Sequence, residues 1–366
     1  MPINSNPLFN SKDFKKIYRK TIISKVYYLK IKAPLSVQFE LTGNCNQKCI
    51  FCYNVWKESC SKSNMKTLSK NQHLKIIDKL IENDIFDIIF SGGEPLLINW
   101  LEELIKKASD KKIYTTIITN GVLLTDKRVK SLKNSGLDSM QISLHHYNKM
   151  INDKLTGNIH SFNKTIRGIK SAIKTFGSKS INVNMVVLPE TYKDVYRMAK
   201  FLKSIGVGSF TVGLPTVTGE MKNNKKTIIN KDIFLEIYKS LILARKKFGI
   251  HVGFTGGFPI CILPNMRLET TEMISNYCDA GLNQLVIDPE GNLKPCVCLG
   301  YKLGNILTDD IKNIWSKNKF LLNIRELKYA PKECKDCKYI SICRGGCRAS
   351  AKGYYGKINA QDPLIK

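Results

Sequence analysis

The sequence predicts an α/β chain in which a parallel sheet with helical crossovers is followed by a small cysteine-rich domain. Two observations carry this. From Leu35 to Phe248, short β-rich runs alternate with amphipathic stretches, the signature of a parallel sheet. After about Phe254 that periodicity fades, and cysteine, glycine and proline take over. The twelve cysteines divide the same way, four between positions 45 and 60 and eight between 261 and 347. The expected organisation is an N-terminal extension over 1–33, an α/β domain over 34–254 and a metal-nucleated domain over 255–366.

The elements follow in order. Leu35–Leu41 reads as a strand that runs into a cysteine loop. Ser69–Asn83 is helical, because Leu74, Ile77, Leu80 and Ile81 share one face. Ile85–Phe90 is a strand stopped by Ser91-Gly92-Gly93. Trp100–Ala108 is a helix, and Ile113–Thr119 a strand ended by Asn120-Gly121. Helix and strand then alternate as Thr125–Asn134, Ser139–Leu144, Phe162–Phe176, Ile181–Leu188, Tyr192–Ser204 and Gly208–Leu214, with Lys231–Phe248 as the last helix. Val217–Asn230 reads as a linker, and Tyr27, Tyr28, Leu29 and Ile31 suggest that part of the extension docks. Crossovers between parallel strands are right-handed and put the helices outside. In barrel-like folds the chemistry sits at the carboxyl ends of the strands. The cysteine loop, the Gly-Gly turn, Asn120-Gly121 and His145-His146 all follow strand ends, so they are expected at one mouth. Six units are too few to close an eightfold barrel.

Composition narrows the function classes. The chain of 366 residues is 43% hydrophobic, enough for a core. No apolar run approaches the roughly 18 residues of a membrane span, and the basic, polar start lacks a secretory core. A cytoplasmic location follows as an expectation, and there twelve cysteines favour metal or iron–sulfur ligation over disulfides. The net charge is +28. The excess is mostly lysine spread along an Asn- and Ile-rich chain, which reads as coding composition. No aromatic-interleaved basic patch points to nucleic acid.

Cys45, Cys49 and Cys52 are spaced C-x3-C-x2-C, with Phe51 before the last. Three thiolates are one short of the four that hold a cubane cluster, which leaves one iron open to a small molecule. A zinc site would want a fourth ligand nearby, for which Cys60 is the candidate. The run Cys45-Asn46-Gln47-Lys48-Cys49-Ile50-Phe51-Cys52 resembles the signature of the radical S-adenosylmethionine (SAM) superfamily. The resemblance implies a partial (β/α)6 TIM-like barrel and a [4Fe-4S] cluster that binds SAM. It implies cleavage of SAM to a 5′-deoxyadenosyl radical. Ser91-Gly92-Gly93-Glu94-Pro95 is similar to the family's G-G-E-P motif, which grips the methionine amino group. Thr119-Asn120-Gly121 resembles its T-N-G turn, and Ser143 matches a ribose-bonding position. Phe51 and Tyr53 fall beside the cofactor in this scheme, with Tyr53 toward the adenine or in packing. His145 and His146 diverge from one another and are expected to be structural, as are His73, His160 and His251.

The later cysteines read Cys278-x12-Gly291-x4-Cys296, then Cys334-x2-Cys337-x5-Cys343-x3-Cys347. This pattern resembles the SPASM domain, which carries auxiliary [4Fe-4S] clusters. The resemblance implies one cluster on Cys261, Cys278, Cys296 and Cys347, and a second on Cys334, Cys337 and Cys343 plus a later residue. Here the chain departs from the pattern. No cysteine follows Cys347, and Ile365 stands where the last ligand is expected. Asp362 is the candidate oxygen ligand, and one or two auxiliary clusters are the alternatives. Cys60 and Cys298 are left spare, and a zinc ribbon on Cys334, Cys337, Cys343 and Cys347 is the competing reading.

The resemblance implies a radical SAM enzyme, an oxidoreductase or maturase that abstracts hydrogen from its substrate. A peptide or protein substrate is the first expectation, and tetrapyrrole side-chain chemistry the second. An electron carrier without catalysis is the third. An electron donor such as flavodoxin or ferredoxin is implied. Many peptide-modifying members carry an N-terminal leader-binding domain, which 33 residues cannot build, so leader recognition is expected to fall to a separate leader-peptide-binding protein or to the barrel itself.

Overall fold

The computed structural model describes residues 31–56, 67–222, 228–263 and 278–365. Cys60 and Tyr27–Leu29 lie outside these residues. Seven parallel strands run in sequence order: β1 (Ser36–Glu40), β2 (Asp87–Ser91), β3 (Tyr114–Thr119), β4 (Ser139–Ser143), β5 (Ile181–Val186), β6 (Ser209–Gly213) and β7 (His251–Thr255). Their register is continuous, with Val37 opposite Ile88 and Ile117 opposite Met140. The crossover helices are α1 (Lys70–Glu82), α2 (Leu101–Ser109), α3 (Asp126–Asn134), α4 (Lys149–Thr156), α5 (Ser161–Phe176), α6 (Val195–Ser204) and α7 (Lys231–Phe248).

The strands bury side chains on both faces, as a parallel sheet covered by helices requires. Val37, Phe39, Phe90, Ile117, Ile142, Val183 and Phe210 are all fully buried. The helices start at polar caps written in the sequence. Ser69 and Gln72 form a capping box at α1, Thr125 caps α3 and Asn230 caps α7. Each predicted strand and helix is present within a few residues. Two elements of this region were not anticipated. The strand β7 adds a seventh parallel member, and α4 lies in the β4–α5 connection.

The cysteine-rich region continues the same sheet. β8 (Gln284–Ile287) pairs parallel with β1 on the side away from β2, with Ser36 opposite Gln284. β9 (Asn292–Lys294) and β10 (Gly304–Asn305) follow antiparallel. The strand order is β10-β9-β8-β1-β2-β3-β4-β5-β6-β7, with β10 and β7 as its ends, so the barrel is open. Beyond the sheet come α8 (Ile311–Lys317), α9 (Lys319–Arg325), α10 (Ile340–Cys343) and α11 (Arg348–Tyr355). Ile31 docks here, since its carbonyl accepts from Trp315 Nε1 at 2.8 Å.

Candidate iron–sulfur and SAM site

The cysteine loop leaves β1 at its carboxyl end and is held from three sides. The Gly92-Gly93 turn after β2 lies directly against it. A Cβ at Gly93 would meet Asn44 O at 2.1 Å, and one at Gly92 would meet Thr42 O at 2.6 Å. The glycines are therefore required by the loop's own backbone, a nearer reason than approach to a ligand. Gly93 N donates to Thr42 O at 2.6 Å, and Glu94 N to Asn44 O at 2.8 Å. On the second side, α4 ends at the loop: Lys48 N donates to Thr156 O at 2.8 Å and Ile50 N to Leu155 O at 3.1 Å. On the third, Glu220 N donates to Cys52 O at 2.9 Å. The expected linker is thus partly a wall of the site, with Val217 and Met221 buried.

Among the three cysteines, Gln47 bridges two thiols. Its amide N donates to Cys45 Sγ at 3.4 Å, and its Oε1 accepts from Cys49 Sγ at 3.5 Å. Asn120 Nδ2 reaches Cys45 Sγ at 4.0 Å and donates to Asn46 Oδ1 at 2.6 Å. The sequence-predicted Asn120 therefore stands beside the loop. Glu94 stands behind it. Its carboxylate is fully buried and accepts from Thr119 Oγ1 at 2.6 Å, Asn120 N at 2.8 Å and Leu96 N at 3.1 Å. Burial pushes its pKa up to about 7, against these three donors. Glu94 ties the end of β3 to the turn after β2, and Pro95 beside it is buried. Ser143 is half-buried at the end of β4.

Phe51 is buried and packs edge-on against His145, with ring centroids 4.5 Å apart. His145 is also buried, and desolvation lowers its pKa to about 3, so it is neutral. His146 faces away, with Nε2 3.3 Å from Asp194 Oδ2. Tyr53 points into the barrel. Burial first, then the charges of Glu40, Cys298 and Cys52, hold its phenol well above the usual range, and it bonds Gln38. Its phenol thus lies within electrostatic reach of both Cys52 in the first cysteine loop and Cys298.

The later cysteines fall into two sets that differ from the expected pairing. Cys261 stands with Cys334, Cys337 and Cys343, all bordering one small cavity beside Ile365. Cys278, Cys296 and Cys347 form the other set, each with its thiol raised first by burial and then by neighbouring charge, Cys278 to about 11. Cys298 belongs with them, pushed up to about 12 by burial and by Cys347. Cys278, Cys296 and Cys347 do not border the cavity that Cys261 lines. Cys347 does not border that cavity with the other three of its quartet. The turn Arg344-Gly345-Gly346 parts them, with three successive positive φ values of 55°, 79° and 83°. Asp362 is buried beside Cys347. Its Oδ2 accepts from Cys347 N at 2.6 Å and its Oδ1 from Leu364 N at 3.0 Å, so it anchors the Cys347 loop.

The family model described as the radical SAM superfamily matches residues 39–202. A second, described as an iron–sulfur cluster-binding domain and named SPASM, matches residues 278–338. The chain belongs to the radical SAM superfamily and carries a SPASM domain. It is 24% identical to a PqqA peptide cyclase of Granulibacter bethesdensis, covering 91% of this chain and 87% of that one. It is 22% identical to an AdoMet-dependent heme synthase of Methanosarcina barkeri, covering 90% and 96%. Its fold matches Streptococcus suis SuiB bound to the precursor peptide SuiA with a TM-score of 0.72 at 18% identity, covering 96% and 80%.

This radical SAM enzyme uses [4Fe-4S] clusters and SAM, and the residues present fit them. The donors are thiols, which suit iron–sulfur clusters, and they occur as a three-thiol loop at a strand end and as separate sets farther on. Among the described residues no helix is long and apolar enough to cross a membrane.

A cavity of about 590 Å³ lies between the barrel and the SPASM region. Trp56, Val217, Lys222, Lys294, Cys298 and Lys352 are among its walls. Sequence reasoning missed it, because its walls come from four distant segments. Lys294 is held there by a buried ion pair to Glu40 at 2.8 Å.

Proposed function

We propose that the chain cleaves SAM reductively at a cluster held by Cys45, Cys49 and Cys52 and abstracts a hydrogen atom from a peptide or protein substrate. A [4Fe-4S] cluster held by these three thiolates would supply the electron for cleaving SAM to a 5′-deoxyadenosyl radical. The observation that carries the reading is the three-thiol loop, fixed at the carboxyl end of β1 and backed by Glu94 and Asn120.

The chain's own residues have distinct parts. Gln47 and Asn120 contact the thiols and set the loop's shape. Glu94 holds Asn120 by its backbone N–H, so it acts as a positioning residue. Phe51 and neutral His145 close the apolar side of the loop, which helps keep water from the reacting atoms. SAM is assigned to the strand ends that carry Gly92, Gly93, Asn120 and Ser143. Substrate is assigned to the cavity, where lysines and the carboxylates of Asp288 and Glu290 offer both charges to a peptide backbone and its side chains. The relative named for cyclising the PqqA peptide supports a peptide substrate. An electron donor of the flavodoxin or ferredoxin class completes the scheme.

A second reading, tetrapyrrole side-chain chemistry, is favoured by Lys222, Lys302 and Lys352 around the cavity, which suit propionate groups. It is also supported by the relative named a heme synthase. Anaerobic incubation with SAM and reductant, offered peptides encoded beside the gene or a propionate-bearing tetrapyrrole, separates the two by mass spectrometry. Modification of the tetrapyrrole alone would overturn the peptide reading.

A further inference from the structure

Ile365 stands where the pattern places a cysteine, and the structure offers a thiol from the opposite direction. We infer that Cys261 completes a four-thiolate set with Cys334, Cys337 and Cys343, and that this set holds the second auxiliary cluster. The inference rests on the iron–sulfur reading of the SPASM region and is independent of the substrate.

The geometry is specific. Residues 259–261 leave β7 and run against the Cys334–Cys343 loop. Ile260 N donates to Cys343 Sγ at 3.4 Å, which sets the next residue, Cys261, beside that thiol. All four cysteines border one cavity, which Pro259, Ile340 and Ile365 close on its apolar sides. Four cysteine thiolates are the ligand set of a [4Fe-4S] cluster.

The rival ligand is engaged elsewhere. Both oxygens of Asp362 accept backbone N–H groups, and a Cβ on Gly346 would strike Oδ2 at 2.5 Å. Ile365 borders the cavity at the place of the missing tail cysteine, but its side chain cannot ligate. Residues 264–277 contain no cysteine, so no other upstream thiol competes. The assignment leaves Cys298, within the electrostatic reach of Cys347, as the remaining thiol beside Cys278, Cys296 and Cys347.

Cys261 also differs from the other described cysteines in access. Cys261 is exposed in the metal-free chain, so a thiol reagent reports directly on its ligation. The test is alkylation of the anaerobically reconstituted full-length protein, read residue by residue by mass spectrometry. The expected result is that Cys261 is protected in the wild type and in Cys278→Ala/Cys296→Ala, and becomes labelled in Cys334→Ala/Cys337→Ala. Iron lost in Cys261→Ala should be regained on adding Ile365→Cys, which returns a thiol to the same cavity. Circular dichroism checks that each variant folds. Protection of Cys261 that follows Cys278 and Cys296 would overturn the inference. So would full labelling of Cys261 in wild-type protein carrying roughly twelve irons. A wild type that takes up no iron would sink the cluster reading itself, a separate and recognisable failure.

Discussion

Replacing Lys294 by methionine should destabilise the chain in a pH-dependent way. Lys294 ends β9 and Glu40 ends β1, so their ion pair ties the cysteine-rich region to the barrel. Only 3% and 1% of their side chains are exposed. The cost of Lys294→Met comes less from lost attraction than from the carboxylate left behind. Removing one partner of a buried pair costs about 3–5 kcal/mol. Burial already raises the Glu40 pKa above its ordinary 4.5 despite Lys294, and without the lysine it must rise further. The folded state then keeps a proton that the unfolded state has released, so stability falls as pH rises above about 4.5. The variant should lose about 3–5 kcal/mol at pH 8 and clearly less at pH 6. Adding Glu40→Gln removes the stranded charge, recovers most of the loss and abolishes its pH dependence. Urea unfolding of the anaerobic holoprotein, followed by circular dichroism, measures this. A loss independent of pH, or a double variant as weak as the single, would refute the reasoning.

Other outcomes follow from the same geometry. Glu94→Ala leaves three buried donors unanswered, each worth about 1–3 kcal/mol. It should lower the melting temperature and disturb the first cluster's spectrum, whereas loss of SAM affinity alone would return Glu94 to a direct ligand role. Gly93→Ala drives a Cβ to 2.1 Å from Asn44 O. It should cost the first cluster, about four irons, while the SPASM iron stays; full iron content would contradict it. His73 and His145 have pKa values lowered by burial to about 4 and about 3. Their unfolded forms therefore bind protons first, and stability is whole above about pH 6.5 and falls as pH drops toward 4. His73→Gln should flatten that fall, seen in melting temperatures across the range; an unchanged slope would remove His73 from the account.

Much of this was legible in the sequence, because strands and helices announce themselves through local periodicity and caps. The six β–α units and the strand-end position of the first cysteines follow from such patterns. β7 escaped because His251–Thr255 begins with an exposed histidine and contains a glycine. β8 to β10 escaped because they are two to four residues long, and β8 finds its partner β1 at the far end of the chain. Helix α4 was readable in hindsight, from its Asn148 cap and the left-handed Gly157 that ends it. The grouping of the later cysteines was not readable. It turns on Ile260 reaching Cys343 across more than eighty residues, a contact that linear spacing cannot express. The same holds for Glu94, whose partners Thr119 and Asn120 lie on the next strand's end.

The measurement that tests the central claim most directly is formation of 5′-deoxyadenosine. The anaerobically reconstituted chain is given SAM and dithionite, beside a Cys49→Ala variant of unchanged circular dichroism. The account predicts 5′-deoxyadenosine from the wild type and none above background from Cys49→Ala. Equal product from both, or none from a fully iron-loaded wild type where a control enzyme turns over, would contradict it.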